Sequence, residues 1–289
     1  MKISEKALAH IARNYPHSLA IVEAFVPLLE QKSALLASLP PCSLPAPDKT
    51  RREKGKAWLD PAIHVDIYLD EPFLQSAPQG IGQGIAKGFP AIAEEIQAIV
   101  AVLQEDTSAC RLLVGSGLEG AKTEKWADRY GFGHDAVQFF AQHLASTAAE
   151  RVAESAQKTL DVSTVAFAEE WDRAHCPVCG GAPHVSLVRG KDGQRFLQCA
   201  LCASEWFFTR TTCPGCNEGA VKQLPYYFIE EADQERALAC ESCKQYILER
   251  DLRNDAGDVP LPLYLLCLGP LDILMQEKGY TPIFEQKAS

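Results

Sequence analysis

Four Cys-x-x-Cys pairs constrain this chain more than any other feature. They are Cys176-Pro177-Val178-Cys179, Cys199-Ala200-Leu201-Cys202, Cys213-Pro214-Gly215-Cys216 and Cys240-Glu241-Ser242-Cys243, and they take eight of its 11 cysteines. Two thiolates at that spacing on a tight turn can grip a tetrahedral metal, and a second turn completes four sulfur ligands. A chain that carries four such turns must fold so that they meet two by two. The expectation is two four-cysteine metal sites.

The segments between the pairs say which turns meet. From Cys176 the apolar period is two. His184–Arg189 and Gln194–Gln198 read as strands around the turn Gly190-Lys191-Asp192-Gly193. The same layout recurs after Cys213, with Leu224–Glu230 and Glu235–Ala239 around Glu231-Ala232-Asp233-Gln234. An aromatic strand follows each second pair: Trp206-Phe207-Phe208 and Tyr246-Ile247-Leu248. The pattern is a duplicated ribbon. Inserts of 19 and 23 residues can each fold back and join their own flanking turns. Sequential pairing therefore puts Cys176, Cys179, Cys199 and Cys202 in one site and Cys213, Cys216, Cys240 and Cys243 in the other. The cross-braced alternative joins the first pair to the third and the second to the fourth, and it would spoil the repeat. Gly180 after Cys179 and Gly215 inside the third pair suit knuckles that turn amides toward sulfur, often through a positive φ. Pro177 and Pro214 pre-set φ for the turn. Four sulfurs in a tetrahedron suit zinc and mononuclear iron equally, whereas the spacings do not match ferredoxin cluster patterns.

The first 170 residues read as mostly helical. Lys6–Asn14 and Ser18–Leu39 carry apolar residues at steps of three and four, with Pro27 expected to bend or restart the second helix. Pro40–Pro47 is a proline-broken connector and Thr50–Lys56 a charged, solvated stretch. Ala62–Leu69 alternates and is open between a short strand and a helix. Gly80-Ile81-Gly82-Gln83-Gly84 resembles part of a phosphate loop but lacks its strand and acidic partner, so it reads as a plain loop. Phe89–Leu103 is an amphipathic helix. Asp135 is placed as the N-cap of a long helix to about Leu160, with Phe139, Phe140, Leu144, Ala148 and Val152 on its buried side. A short helix over Thr164–Arg173 feeds into Cys176. In the tail, Leu261–Tyr280 predicts one or two helices around Gly269-Pro270.

Composition narrows function. The net charge is −10, divided −6 over residues 1–170 and −4 beyond. Four thiolates around a divalent ion add about −2 per site, a field that repels phosphate backbones. Trp206, Phe207 and Tyr227 are accordingly read as ribbon core rather than base-stacking residues. No signal-peptide pattern opens the chain and no apolar run is long enough to span a bilayer, so the expected setting is a reducing cytoplasm. There is no H-E-x-x-H, P-loop or G-x-S-x-G, and no nucleophile with a traceable base. No Cys-x-x-Cys opens a helix in the thioredoxin manner. Cys42, Cys110 and Cys267 are scattered small residues. His175 and His184 flank the first knuckle but are not needed as ligands, and His10, His17, His64, His134 and His143 form no ligand spacing.

With Trp171 upstream of Cys176-Pro177-Val178-Cys179-Gly180, then Cys199 and Cys202, Cys213-Pro214-Gly215-Cys216, Cys240 and Cys243, and a tail ending near Gly279-Tyr280, the chain closely resembles the FdhE family of formate dehydrogenase accessory proteins. The four-pair set carries the resemblance; the N-terminal half shares length and character. The resemblance implies a non-catalytic maturation factor in the cytoplasm. It also implies two rubredoxin-like modules that bind iron through these eight cysteines, and a partner in the catalytic subunit of an exported formate dehydrogenase.

The expected fold is α+β. A helical domain over 1–173 precedes two tandem rubredoxin-like or zinc-ribbon β modules, 174–211 and 212–289, and a C-terminal helical tail closes the second. The expected cofactors are two metal ions, iron preferred and zinc the alternative. The expected role is recognition and maturation of formate dehydrogenase, with neither nucleic acid nor membrane insertion and with homodimerisation left open. A rubredoxin-like electron carrier or redox sensor is the second reading, and a zinc-ribbon nucleic-acid binder the third.

Overall fold

A computed structural model of the chain describes residues 2–157, 159, 171–229, 234–255, 257 and 259–285. In chain order the described helices are α1 (Glu5–Asn14), α2 (Leu19–Ser38), α3 (Lys49–Glu53), α4 (Pro61–Tyr68), α5 (Glu71–Gly88), α6 (Ala93–Glu105), α7 (Thr107–Leu118), α8 (Glu124–Tyr130), α9 (His134–Gln157), α10 (Leu261–Cys267) and α11 (Gly269–Glu277). The strands are β1 (Pro183–Arg189), β2 (Gln194–Cys199), β3 (Glu205–Phe207), β4 (Tyr226–Phe228), β5 (Glu235–Ala239), β6 (Gln245–Asp251) and β7 (Thr281–Pro282). The α+β reading holds. The chain divides into two compact units, Met1–Pro45 with Leu59–Ala156, and Ala46–Trp58 with Gln157–Ser289.

The first unit is helical. Side-chain caps fix several helix starts: Ser4 accepts from Ala7, Asp70 from Phe73, and Asp106 from Ser108 and Ala109. Pro27 lies inside α2 without ending it. The alternation at Ala62–Leu69 resolves as helix α4, because Asp60 caps it and Pro61 supplies a preset φ at its first position. Gly80–Gly84 is no loop; it lies inside α5. A Cβ on Gly82 would sit 2.5 Å from Val100 Cγ2, and one on Gly84 2.8 Å from the Leu28 backbone. These glycines are there because neighbouring helices approach too closely for a side chain. α9 begins at His134, so Asp135 lies within its first turn rather than capping it. Its Phe140, Leu144, Ala148 and Val152 are buried as expected. A buried Arg151 ties this helix to the unit, donating to both oxygens of Asp70 at 2.7 and 2.8 Å and to Pro40 O at 3.0 and 2.8 Å.

The second unit is one mixed sheet in the order β3-β2-β1-β6-β5-β4, with β7 added beside β6. Each ribbon contributes three antiparallel strands, β1–β2–β3 and β4–β5–β6. The ribbons are joined by the parallel pair β1–β6, with Ser186 opposite Glu249. The first strand of one copy thus pairs with the last strand of the other. A row of polar groups crosses that seam. The Glu249 carboxylate is fully buried and accepts from Ser186 Oγ at 2.8 Å and from Arg236 Nε at 2.6 Å. On the other face, Val185 and Leu187 pack with Leu268, and Ala237, Ala239 and Tyr246 pack with Leu271 and Met275. The tail forms two helices, α10 and α11, as anticipated, and they cover this face. A second tie comes from the buried Arg195, which donates to Thr209 O and, at 2.5 Å, to Thr212 O just before Cys213.

The sequence reading named no helix at α7 or α8. The helix expected over Thr164–Arg173 and the turn at Glu231-Ala232-Asp233 fall mainly outside the described residues. Among the described residues no helix is long and apolar enough to cross a membrane.

Candidate metal centre

All four Cys-x-x-Cys turns have one backbone plan. In each, the first cysteine's N–H donates five residues ahead: Cys176 to Gly181 O, Cys199 to Ser204 O, Cys213 to Glu218 O and Cys240 to Gln245 O, at 2.8–2.9 Å. The residue after the second cysteine donates back: Gly180 to Cys176 O, Ala203 to Cys199 O, Asn217 to Cys213 O and Lys244 to Cys240 O. That closing residue is left-handed every time, with φ of +82° at Gly180 and 53°, 61° and 57° at Ala203, Asn217 and Lys244. The knuckle needs a positive φ there. Glycine reveals it at the first turn and asparagine, which tolerates that region, at the third, whereas Ala203 and Lys244 carry no such signal. Gly215 is not at a positive φ; a Cβ there would lie 2.3 Å from Gln245 Oε1, the movable end of that side chain.

The hairpins bring the turns together in sequential order. Cys176, Cys179, Cys199 and Cys202 form one set and Cys213, Cys216, Cys240 and Cys243 the other, the sulfurs of each within 4.8 Å of one another. In the first set Cys179 Sγ is 3.4 Å from both Cys199 Sγ and Cys202 Sγ, and Cys176 Sγ is 3.6 Å from Cys202 Sγ. In the second, Cys213–Cys243 is 3.8 Å and Cys216–Cys240 is 3.6 Å. Four sulfurs at ~2.3 Å from a central ion stand about 3.8 Å apart in a tetrahedron. Both sets therefore have the dimensions to hold one metal ion each. Backbone amides aim at the sulfurs, from Gly181 to Cys179 and Leu201 to Cys199 at 3.4 Å and from Gly215 to Cys213 at 3.3 Å. The Cys202 thiol itself donates to Ser204 Oγ at 3.3 Å. The amide donors favour thiolate over thiol.

Electrostatics point the same way. Burial pushes the Cys176 thiol far above its ordinary range, and the hydrogen bond with Cys176 is the main cause of a similar rise at Cys179. Cys199 moves far down, because Cys176, Cys179 and Cys202 all donate to it. One thiolate is comfortable in this cage. Further ionisation crowds like charges into apolar surroundings, which a cation offsets. In the second set burial raises Cys213 to about 11 and Cys243 higher still. Burial also acts upward on Cys240, but amides of Cys243 and Ser242 bring it below its usual value.

The two sets differ in access. All four cysteines of the first are buried, whereas Cys216 is exposed and Cys243 partly exposed in the second. Trp206, opposite Leu197 on β2, is buried and donates to Arg173 O at 3.1 Å. His175 turns away to Gly55 O at 3.0 Å and His184 to Gln198 Oε1 at 3.1 Å, so neither joins a sulfur cage. Cys110 and Cys267 are buried singly, Cys42 is partly exposed, and burial lifts Cys110 to about 12. The sequence reading missed what covers the first knuckle. The charged stretch at Thr50–Lys56 has no buried residue, as expected, but its first part lies in α3, and Trp58 N–H beyond it donates to Pro177 O at 2.9 Å.

Comparison with known proteins supports the same relationship. Residues 175–210 match the family model described as FdhE, central domain. A protein FdhE homolog of Aquifex aeolicus (strain VF5) is 26% identical across 94% of this chain and 89% of its own length. FdhE homologs of Haemophilus ducreyi and Pseudomonas aeruginosa are 37% and 38% identical, over 39% and 40% of this chain. Those two alignments span 37% and 39% of the relatives themselves. The crystal structure of the FdhE protein from Pseudomonas aeruginosa superposes with a TM-score of 0.65 at 23% identity, covering 98% of this chain and 95% of that one, a likeness of fold. With a near full-length relative at 26% identity and a matching central domain that contains the first sulfur cage, the chain is similar to FdhE proteins along nearly its whole length.

Proposed function

We propose that the chain is a non-catalytic accessory factor for formate dehydrogenase, acting in the cytoplasm by docking on the immature catalytic subunit. In this reading Cys176, Cys179, Cys199, Cys202, Cys213, Cys216, Cys240 and Cys243 hold two metal ions, one per set, iron preferred over zinc. The observation that carries it is the pair of four-thiol cages with tetrahedral spacing in a chain similar to FdhE proteins. A bound iron would supply a one-electron couple, and zinc would supply structure alone. The chain's own residues set different conditions at the two sites. The first cage, with all four of its cysteines buried, serves as a structural staple for the sheet. The second presents Cys216 at the surface, where a partner can reach it.

That exposure also favours the second reading, a rubredoxin-like electron-transfer or redox-sensing role for the second site. The test is co-purification with a formate dehydrogenase catalytic subunit, under anoxic and aerobic conditions in parallel. Retention in either is expected, and loss in both overturns the docking role. Reversible bleaching of an anaerobically purified, coloured protein would support the electron-transfer reading; a colourless protein with zinc alone would end it.

A further inference from the structure

We infer that a cavity beside the first knuckle binds a carboxylate or similar anion carried on an aromatic or branched apolar body. The cavity is about 310 Å³, and its walls are Trp58, Trp171 and Pro177. Lys49, Arg52 and Lys56 stand around it. Its volume falls at the low end of small-ligand sites, which are mostly apolar with a few placed polar groups. One ring, or one branched side chain with its acid group, fills such a space.

The walls are fixed in advance. Trp58 N–H donates to Pro177 O at 2.9 Å. The Arg51 guanidinium holds Ala57 O at 3.2 and 3.1 Å, and Trp171 Nε1 donates to His175 O at 2.9 Å. His175 in turn meets Gly55 O at 3.0 Å. Segment and knuckle thus brace each other without a ligand. Trp58 is 6% exposed and its indole N–H has no partner among the described residues, which leaves an unsatisfied buried donor on a residue of this wall.

Charge selects the ligand's sign. In a chain of net −10, the described residues lining the cavity include three cations, Lys49, Arg52 and Lys56, and one acid. That acid, Asp48, spends one carboxylate oxygen on Thr50 N, Thr50 Oγ1 and Arg51 N at the start of α3. Lys49 and Lys56 form no ion pair among the described residues. A neutral apolar ligand would leave their ammonium groups unused. A cation would meet repulsion.

Two sources carry this chemistry: a free aromatic acid, or an aromatic residue beside an acidic one in a bound protein segment. Calorimetric titration of the full metal-loaded chain distinguishes them with indole-3-propionate and with an acetylated phenylalanine–glutamate dipeptide amide. One-site binding of at least one probe is expected, with the uncharged amide analogue of that probe at least about fivefold weaker. Binding of the acid alone assigns a small molecule, and binding of the dipeptide alone assigns a protein segment. The exposed pair Lys49→Glu/Lys56→Glu should lose about tenfold or more, with metal content unchanged. Trp58→Phe, which keeps the wall but removes the N–H, should bind more weakly than the parent. No binding of either probe, equal binding of acid and amide, or full affinity in the double charge reversal overturns the assignment.

Discussion

Ala203 and Lys244 hold, at φ of 53° and 57°, the backbone conformation that Gly180 takes at the first knuckle. A side chain in the left-handed region costs roughly 1–2 kcal/mol, against roughly 0.5–1 kcal/mol of extra chain entropy that glycine loses on folding. Ala203→Gly should therefore stabilise the second unit modestly, by up to about 1 kcal/mol, read as a higher denaturation midpoint at unchanged metal content. A drop in stability would show that this turn is held by something other than its backbone plan. A different residue governs the helical unit's response to acid. Burial, aided by the Lys32 ammonium, lowers His143 to about 4 from its ordinary 6.5. Its ring packs edge-on against Phe139 at 4.6 Å. The unfolded imidazole takes a proton near pH 6.5 and the folded one only near 4, so the unfolded chain binds more protons between those values. Stability should fall as pH drops from about 6.5 to about 4, and His143→Phe should remove that slope. Equal slopes in urea titrations of the two proteins at pH 7 and 5 would refute the assignment.

At the scale of elements, the decisive feature is the parallel seam between β1 and β6. Two copies of a ribbon would otherwise be separate knuckled hairpins, and short ribbons of this kind rarely stand without a metal. Glu249 binds three strands at once, from β6 to Ser186 on β1 and Arg236 on β5. Removing it takes the 2.6 Å partner from a largely buried guanidinium and leaves it Asp251 at 3.6 Å. Glu249→Ala should cost about 3–5 kcal/mol by denaturant titration, while the isosteric Glu249→Gln should cost less. Similar small losses for both would mean the row is dispensable. This seam was illegible in the sequence. The period-two runs gave the strands of each ribbon and even their tandem order, because a hairpin is a local structure. Which edge meets which is a long-range choice, and parallel pairing leaves no turn between its strands to read. The glycines of α5 misled for a related reason: Gly82 and Gly84 look like loop residues until Val100 and Leu28 are seen against them.

On the scale of the whole molecule, the eight cysteines were the most readable part of the chain, since metal geometry leaves few ways to use four equal spacings. The segment from Ala46 to Trp58 was the least readable. Nothing near it hints that it folds with a knuckle more than 100 residues away. Access separates the two cages, and the difference has a direct consequence. A chelator should empty the set containing the exposed Cys216 well before the buried set, giving two phases of metal release with the first abolished in Cys216→Ala. One simultaneous phase would mean that both ions leave by a common unfolding event. The central claim is that each set of four thiols holds its own ion. Metal analysis of anaerobically purified chain, beside Cys176→Ala and Cys213→Ala, tests it most directly. Two ions per parent chain are expected, and one in each variant. An unchanged metal count in either variant would contradict the account.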